Sequence, residues 1–290
     1  MQKIKYIHCF GTSYTAGGGF EFDEKNKDKM SNLYQHTGEE LNNFNFSYPG
    51  QLHKILGNEI KVLNHAKPGY GNHRLFRTVF DLVNNKDFKK DENLFLFEFS
   101  GTGRDEIYFN QIDDYIVVNY QMKDNNEFEF IGSAKDYHFQ TKNEEKKIDS
   151  FDSFYKIFVS QFKGVKDELG KIEREIDFFT GWLENKNINY FFTSPPKFIK
   201  YKEEKYITYG DNNYFKSRNC MVEFCGSNKL LIIDETKKIS GDLHIGLKGL
   251  QLLASIIFNK LISFNFVDNK KIEIDWKYFY ELDYFKNKIL

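Results

Sequence analysis

The chain has 290 residues, 40% of them apolar and 18% aromatic, enough for one large α/β domain or two small ones with a sizeable core. Its 41 basic and 42 acidic residues leave a formal net charge of -1, so no global positive field draws it to nucleic acid or anionic lipid. No apolar run approaches the ~20 residues of a membrane helix. Residues 4–10 are too short, and too interrupted by Lys5 and His8, to read as a secretory signal. Three cysteines make no disulfide framework. The expectation is a cytoplasmic protein with neither a membrane nor a nucleic-acid partner.

The first strand is expected over 4–10, a β-branched and aromatic run that breaks at Gly11. Thr12 and Ser13 follow, then the cluster Gly17-Gly18-Gly19. Residues 21–50 are polar and irregular, a long excursion of the length that forms lids. A short helix over 51–56 closes at Gly57, and a second strand covers 60–64. The turn Ala66-Lys-Pro-Gly-Tyr-Gly-Asn72 leads to Leu75, Phe76, Val79, Phe80, Leu82 and Val83 at helical spacing. Residues 94–99, Leu-Phe-Leu-Phe-Glu-Phe, read as a third strand buried on both faces, as in a parallel sheet.

That strand ends at Ser100-Gly-Thr-Gly-Arg-Asp105, read as a turn. Strand-like runs at 115–120 and 127–131, parted by the turn-like 123–126, suggest a β-hairpin within an insertion at 107–148 that ends in a solvated charge run. From 151 to 183 apolar residues recur every three or four positions, one long helix with Gly164 or Gly170 as its possible break. A fourth strand at 189–193, a fifth at 230–234, a loop at 241–246 and a closing helix from Leu247 complete the alternation. The tail 264–290 forms a helical extension. The fold class is α/β, a single domain of three layers on a mainly parallel five-stranded sheet.

In open α/β sheets ligands bind at the carboxyl edge of the strands. Ser13 after the first strand and His244 before the last helix both reach that edge. Acyl transfer by a serine needs an imidazole to take the hydroxyl proton, a group to orient the imidazole and donors for the oxyanion. Asp242, two residues from His244, can orient its ring, or it can cap the closing helix. The glycine cluster lacks the Gly-Lys-Ser/Thr that a phosphate loop requires. His8 reads as a satisfied core histidine and Cys9 as a small buried hydrophobe.

These blocks resemble, in order, those of the SGNH or GDSL-type hydrolases. Gly11-Thr12-Ser13-Tyr14 is similar to the nucleophile block, with Thr12 in place of the usual Asp. Residues 64–72, NHAKPGYGN, are similar to the second block, with Gly69 as the oxyanion glycine. Asp242-Leu243-His244, with Gly249 five residues on, is similar to the last block, at Asp-x-His spacing instead of Asp-x-x-His. The third block departs: Thr102 or Gly103 falls where the family has Asn, so Thr102, Arg104 or Asn72 would have to supply that donor. The resemblance implies a serine esterase with Ser13, His244 and Asp242 as its triad. Its substrate would be a short-chain or carbohydrate O-acetyl ester, and it would need no metal and no organic cofactor. An O-acyltransferase, or a glycan-binding or structural protein without activity on the same fold, is the alternative.

Overall fold

In the computed structural model the described residues are 4–17, 44, 47–67, 69–101, 103–109, 114–122, 128–133, 155–159, 165–195, 203–210, 220–228, 230–231, 244–267 and 273–274. In chain order the named elements are β1 (Tyr6–Phe10), α1 (Ser13–Ala16), α2 (Tyr48–Leu56), β2 (Lys61–Asn64), α3 (Asn72–Val83), β3 (Asn93–Glu98), β4 (Arg104–Phe109), β5 (Asp114–Met122), β6 (Phe128–Ser133), α4 (Val165–Asn185), β7 (Asn189–Ser194), α5 (Met221–Ser227) and α6 (Leu247–Ser263). The chain divides into two compact units: residues 1–68, 89–98 and 188–290 form the first, and 69–88 with 99–187 the second.

The first unit holds a parallel sheet in the order β2-β1-β3-β7. β1, β3 and β7 are buried along nearly their whole length on both faces, and β2, at the edge, only in part. On one face Ile7, Cys9, Leu94, Leu96 and Phe191 join Tyr48 and Leu52 of α2 and Leu250, Leu253 and Ile257 of α6 in one core. Helices α2 and α6 also pack on each other. The alternate residues His8, Phe10, Phe95, Phe97, Tyr190 and Phe192 are buried as well. Phe10 lies 5.4 Å from Phe95 and 5.3 Å from Phe97 between ring centroids. Helix α2 is bounded as its residues dictate: the Ser47 hydroxyl accepts from the Gly50 amide at its start, Pro49 sits in the first turn, and Gly57, at φ +66°, ends it.

The second unit is built on an antiparallel meander, β4-β5-β6. Ile116, Val118, Tyr120 and Phe128 pack with Tyr155 and Val159 of a short helical stretch, while Val117 meets Tyr70. Phe76 and Phe80 of α3 pack on Phe179 and Trp182 of α4, at centroid distances of 4.6 and 4.4 Å. Acidic residues of β4 are buried in pairs: Glu106 with Arg77 at 2.6 Å, Asp105 with Lys171 at 3.1 Å and with the Tyr155 hydroxyl at 3.0 Å.

Several sequence expectations need correction. Among the described residues the sheet has four parallel strands, and most of the expected fifth, 232–234, lies outside them. Leu231 makes an isolated antiparallel bridge to Ile245, and 232–240 lie outside the described residues. The expected hairpin is a three-stranded meander starting at Arg104, so Arg104 and Asp105 stand on a strand and not in a turn. Gly170 lies within α4 and does not break it. Of the excursion 21–50, residues 21–43 and 45–46 lie outside the described residues and 48–50 belong to the first turn of α2, which starts three residues earlier than expected. The charge run 142–147 and most of the tail 264–290 also lie outside the described residues. Among the described residues no helix is long and apolar enough to cross a membrane.

Candidate active site

β1 runs out at Gly11, and the next residues wind into the single helical turn of α1, closed by Gly17 at φ +78°, whose amide bonds Ser13 O. A turn this short has no stability of its own, so the sheet must hold it. Glu98, the last residue of β3 and only 3% exposed, does so. Its Oε2 accepts from the Thr12 amide (3.0 Å), the Thr15 amide (2.9 Å) and the Thr15 hydroxyl (2.6 Å), and its Oε1 accepts from the Thr12 hydroxyl. On the other side Asn64 Nδ2, at the end of β2, donates to Thr15 O at 3.1 Å. Gly11 is glycine for a steric reason: a Cβ there would collide with Glu98 Oε2 and the Thr15 hydroxyl.

Ser13, the first residue of α1, is half-buried at this edge. His244 comes to the same place from the far end of the chain. The segment carrying it is pinned by the Leu231–Ile245 bridge and by the Gly246 amide on Leu230 O (2.8 Å). Its ring lies 5.3 Å from that of Tyr14, the residue after Ser13, with Nε2 out of solvent. Among the described residues no hydrogen bond links Ser13 Oγ to the His244 ring. Asp242 lies outside the described residues. The cap of the closing helix is Gly246, which removes the alternative of Asp242 as that cap. Gly249 serves packing: a Cβ there would press on Ile245 Cγ2 at 2.7 Å and Leu230 O at 2.8 Å.

The oxyanion candidates belong to the second unit. Gly69 takes φ +81°, a left-handed conformation that favours glycine. Asn72 spends its amide on the Ser100 main chain, Nδ2 donating to Ser100 O (3.1 Å) and Oδ1 accepting from Ser100 N (2.8 Å). Arg104 Nη1 donates to Tyr70 O at 3.1 Å. Both side chains thus brace loops of their own unit. Thr102 lies outside the described residues.

Two further polar clusters occupy the first unit. In one, His8 Nε2 is 2.7 Å from Asn93 Oδ1, and His8 Nδ1 is 2.9 Å from His65 Nε2. Asn93 Nδ2 donates to Lys89 O, so its Oδ1 faces His8 as acceptor. By this network His8 carries its proton on Nε2 and accepts from His65 at Nδ1. Burial lowers the His8 pKa to about 4, against the hydrogen bond to Asn93, which raises it. In the other, Ser194 Oγ at the end of β7 lies 2.9 Å from Cys220 Sγ. Cys9 is buried, and burial pushes its thiol pKa up, away from the range of a reactive thiolate. Among the described residues no three His, Cys, Asp or Glu side chains cluster to hold a metal ion.

Sequence reasoning named Ser13 and His244, whose segments the structure brings to one sheet edge, and did not name Glu98, Thr15 or Asn64, which hold the turn there. The available signal was the one acid in the run Leu-Phe-Leu-Phe-Glu-Phe, since a carboxylate in a doubly buried strand must find donors. No protein-family model, no curated protein and no solved structure matches the chain.

Proposed function

We propose that the chain is a serine esterase of the SGNH type, acting on a short-chain or carbohydrate O-acetyl ester. One observation carries this reading: the carboxyl edge of the parallel sheet holds Ser13 on a braced turn directly after β1, and the ring of His244 stands 5.3 Å from that of the neighbouring Tyr14. In the reaction Ser13 Oγ attacks the ester carbonyl and His244 takes the hydroxyl proton. The tetrahedral intermediate collapses as His244 returns that proton to the departing alcohol, and water then releases the acyl group by the same route. Asp242 orients the His244 ring, and the Ser13 amide donates to the oxyanion. Ser13 and His244 both belong to the first unit, and no residue of the second is assigned a part. The three-layer arrangement with a fifth parallel strand at 230–234, and a cytoplasmic location, go with this reading. Turnover of a short-chain aryl ester by wild type and its loss in Ser13→Ala is the test; equal turnover by both removes Ser13 from the mechanism.

The lack of a Ser13–His244 hydrogen bond among the described residues, and of the third-block Asn, favours a second reading: a glycan-binding or structural protein without activity on the same fold. It requires that a fluorophosphonate probe leave Ser13 unlabelled. An O-acyltransferase would share the acyl-enzyme step and pass the acyl group to a second alcohol instead of water.

A further inference from the structure

We propose that Glu98 is the positioning residue for the Ser13 nucleophile, an assignment that rests on the esterase reading above. Thr12 and Thr15 bracket Ser13 and Tyr14, and both the amide and the hydroxyl of each are held by this one carboxylate. Four donors on two residues leave the turn little freedom to rotate about β1. The direction of the Ser13 Cα–Cβ bond is therefore set by a strand that is itself buried on both faces. The anchor is a side-chain carboxyl whose two oxygens accept all four of these bonds. It is also distant in sequence, 83 to 86 residues from its partners, so the turn is referenced to the sheet and not to its own local preference. Gly11 completes the device, since any side chain there would displace the carboxylate from the turn. The Thr12 hydroxyl is the contact that a single small substitution removes while leaving the three bonds to Oε2 in place.

The experiment follows the rate at which a fluorophosphonate probe labels Ser13 at saturating probe, with probe affinity measured separately and folding checked by circular dichroism. Glu98→Gln and Thr12→Val should each slow labelling about ten-fold or more with probe affinity unchanged, because a misaimed hydroxyl costs reaction and not binding. Thr12→Ser, which keeps the hydroxyl, should restore most of the rate. If Glu98→Gln fails to fold, the Thr12→Val and Thr12→Ser pair decides. A labelled wild type whose rate neither Glu98→Gln nor Thr12→Val moves overturns the assignment alone, as does a Thr12→Ser variant as slow as Thr12→Val. A wild type that takes no label overturns the esterase reading and this assignment with it.

Discussion

The histidine chain inside the sheet makes folding stability depend on pH in a defined direction. His8 is 3% exposed, bonded at both ring nitrogens and held neutral, with its pKa lowered to about 4 chiefly by burial. In the unfolded chain the same ring titrates near 6.5. Between these values the unfolded state carries a proton that the folded state refuses, so stability is full above ~6.5 and falls as pH drops toward about 4. At about 1.4 kcal/mol per pKa unit the full loss from this residue is ~3 kcal/mol. Protonating His8 at Nδ1 also sets its new N–H against the Nε2–H of His65, so His65 must change tautomer. His8→Gln retains one donor and one acceptor in the slot and does not titrate. Urea unfolding of wild type and His8→Gln from pH 7.5 to 4 should show a difference in stability that shifts by ~2–3 kcal/mol in favour of the variant as pH falls. The carboxylates common to both proteins cancel in that difference. A difference that stays flat within ~0.5 kcal/mol across the range would refute the reasoning.

Gly11→Ala should lower stability by ~1–3 kcal/mol, read as a fall in the urea midpoint at unchanged slope, because the new methyl meets a carboxylate that is already fully bonded. An unchanged midpoint would show that the Glu98 contact is not tight. In the second unit, Arg77→Met should cost ~2–3 kcal/mol at pH 7, since it strips the partner from a Glu106 side chain that is fully buried and removes a cation from above the Tyr115 ring. Burial raises the Glu106 pKa and Arg77 opposes that rise, so the variant's deficit should shrink as pH is lowered and Glu106 takes a proton. A deficit that grows in acid would contradict the pairing.

The parallel sheet was legible because burial on both faces leaves a plain signal. The apolar runs at 4–10 and 94–99 became β1 and β3, each within a residue or two, and Gly57 ended α2 as its φ requires. His8 also behaves as the satisfied core histidine that its strand position suggested. Strand β4 was not legible, since Arg104-Asp-Glu is polar in sequence and becomes buried only through partners 29 to 66 residues away, at Arg77 and Lys171. The division into two units was hidden because the chain passes between them at 68–69, 88–89, 98–99 and 187–188, and the one Pro/Gly-rich crossing, Pro68-Gly69, reads in sequence as a simple strand-to-helix turn. Block order placed Ser13 and His244 at one sheet edge although 230 positions separate Tyr14 from His244. Glu98 escaped because a hydrogen-bond clamp between distant residues has no periodicity, and the resemblance directs attention to the loop after β3 and not to its last residue.

The central claim is that Ser13 is a nucleophile activated by His244. Mass spectrometry of fluorophosphonate-treated protein tests it most directly, with wild type compared with His244→Gln. The account predicts adduct on Ser13 in wild type and labelling slowed about 10²-fold or more without the imidazole. Adduct absent from Ser13, or formed equally fast in His244→Gln, would contradict it.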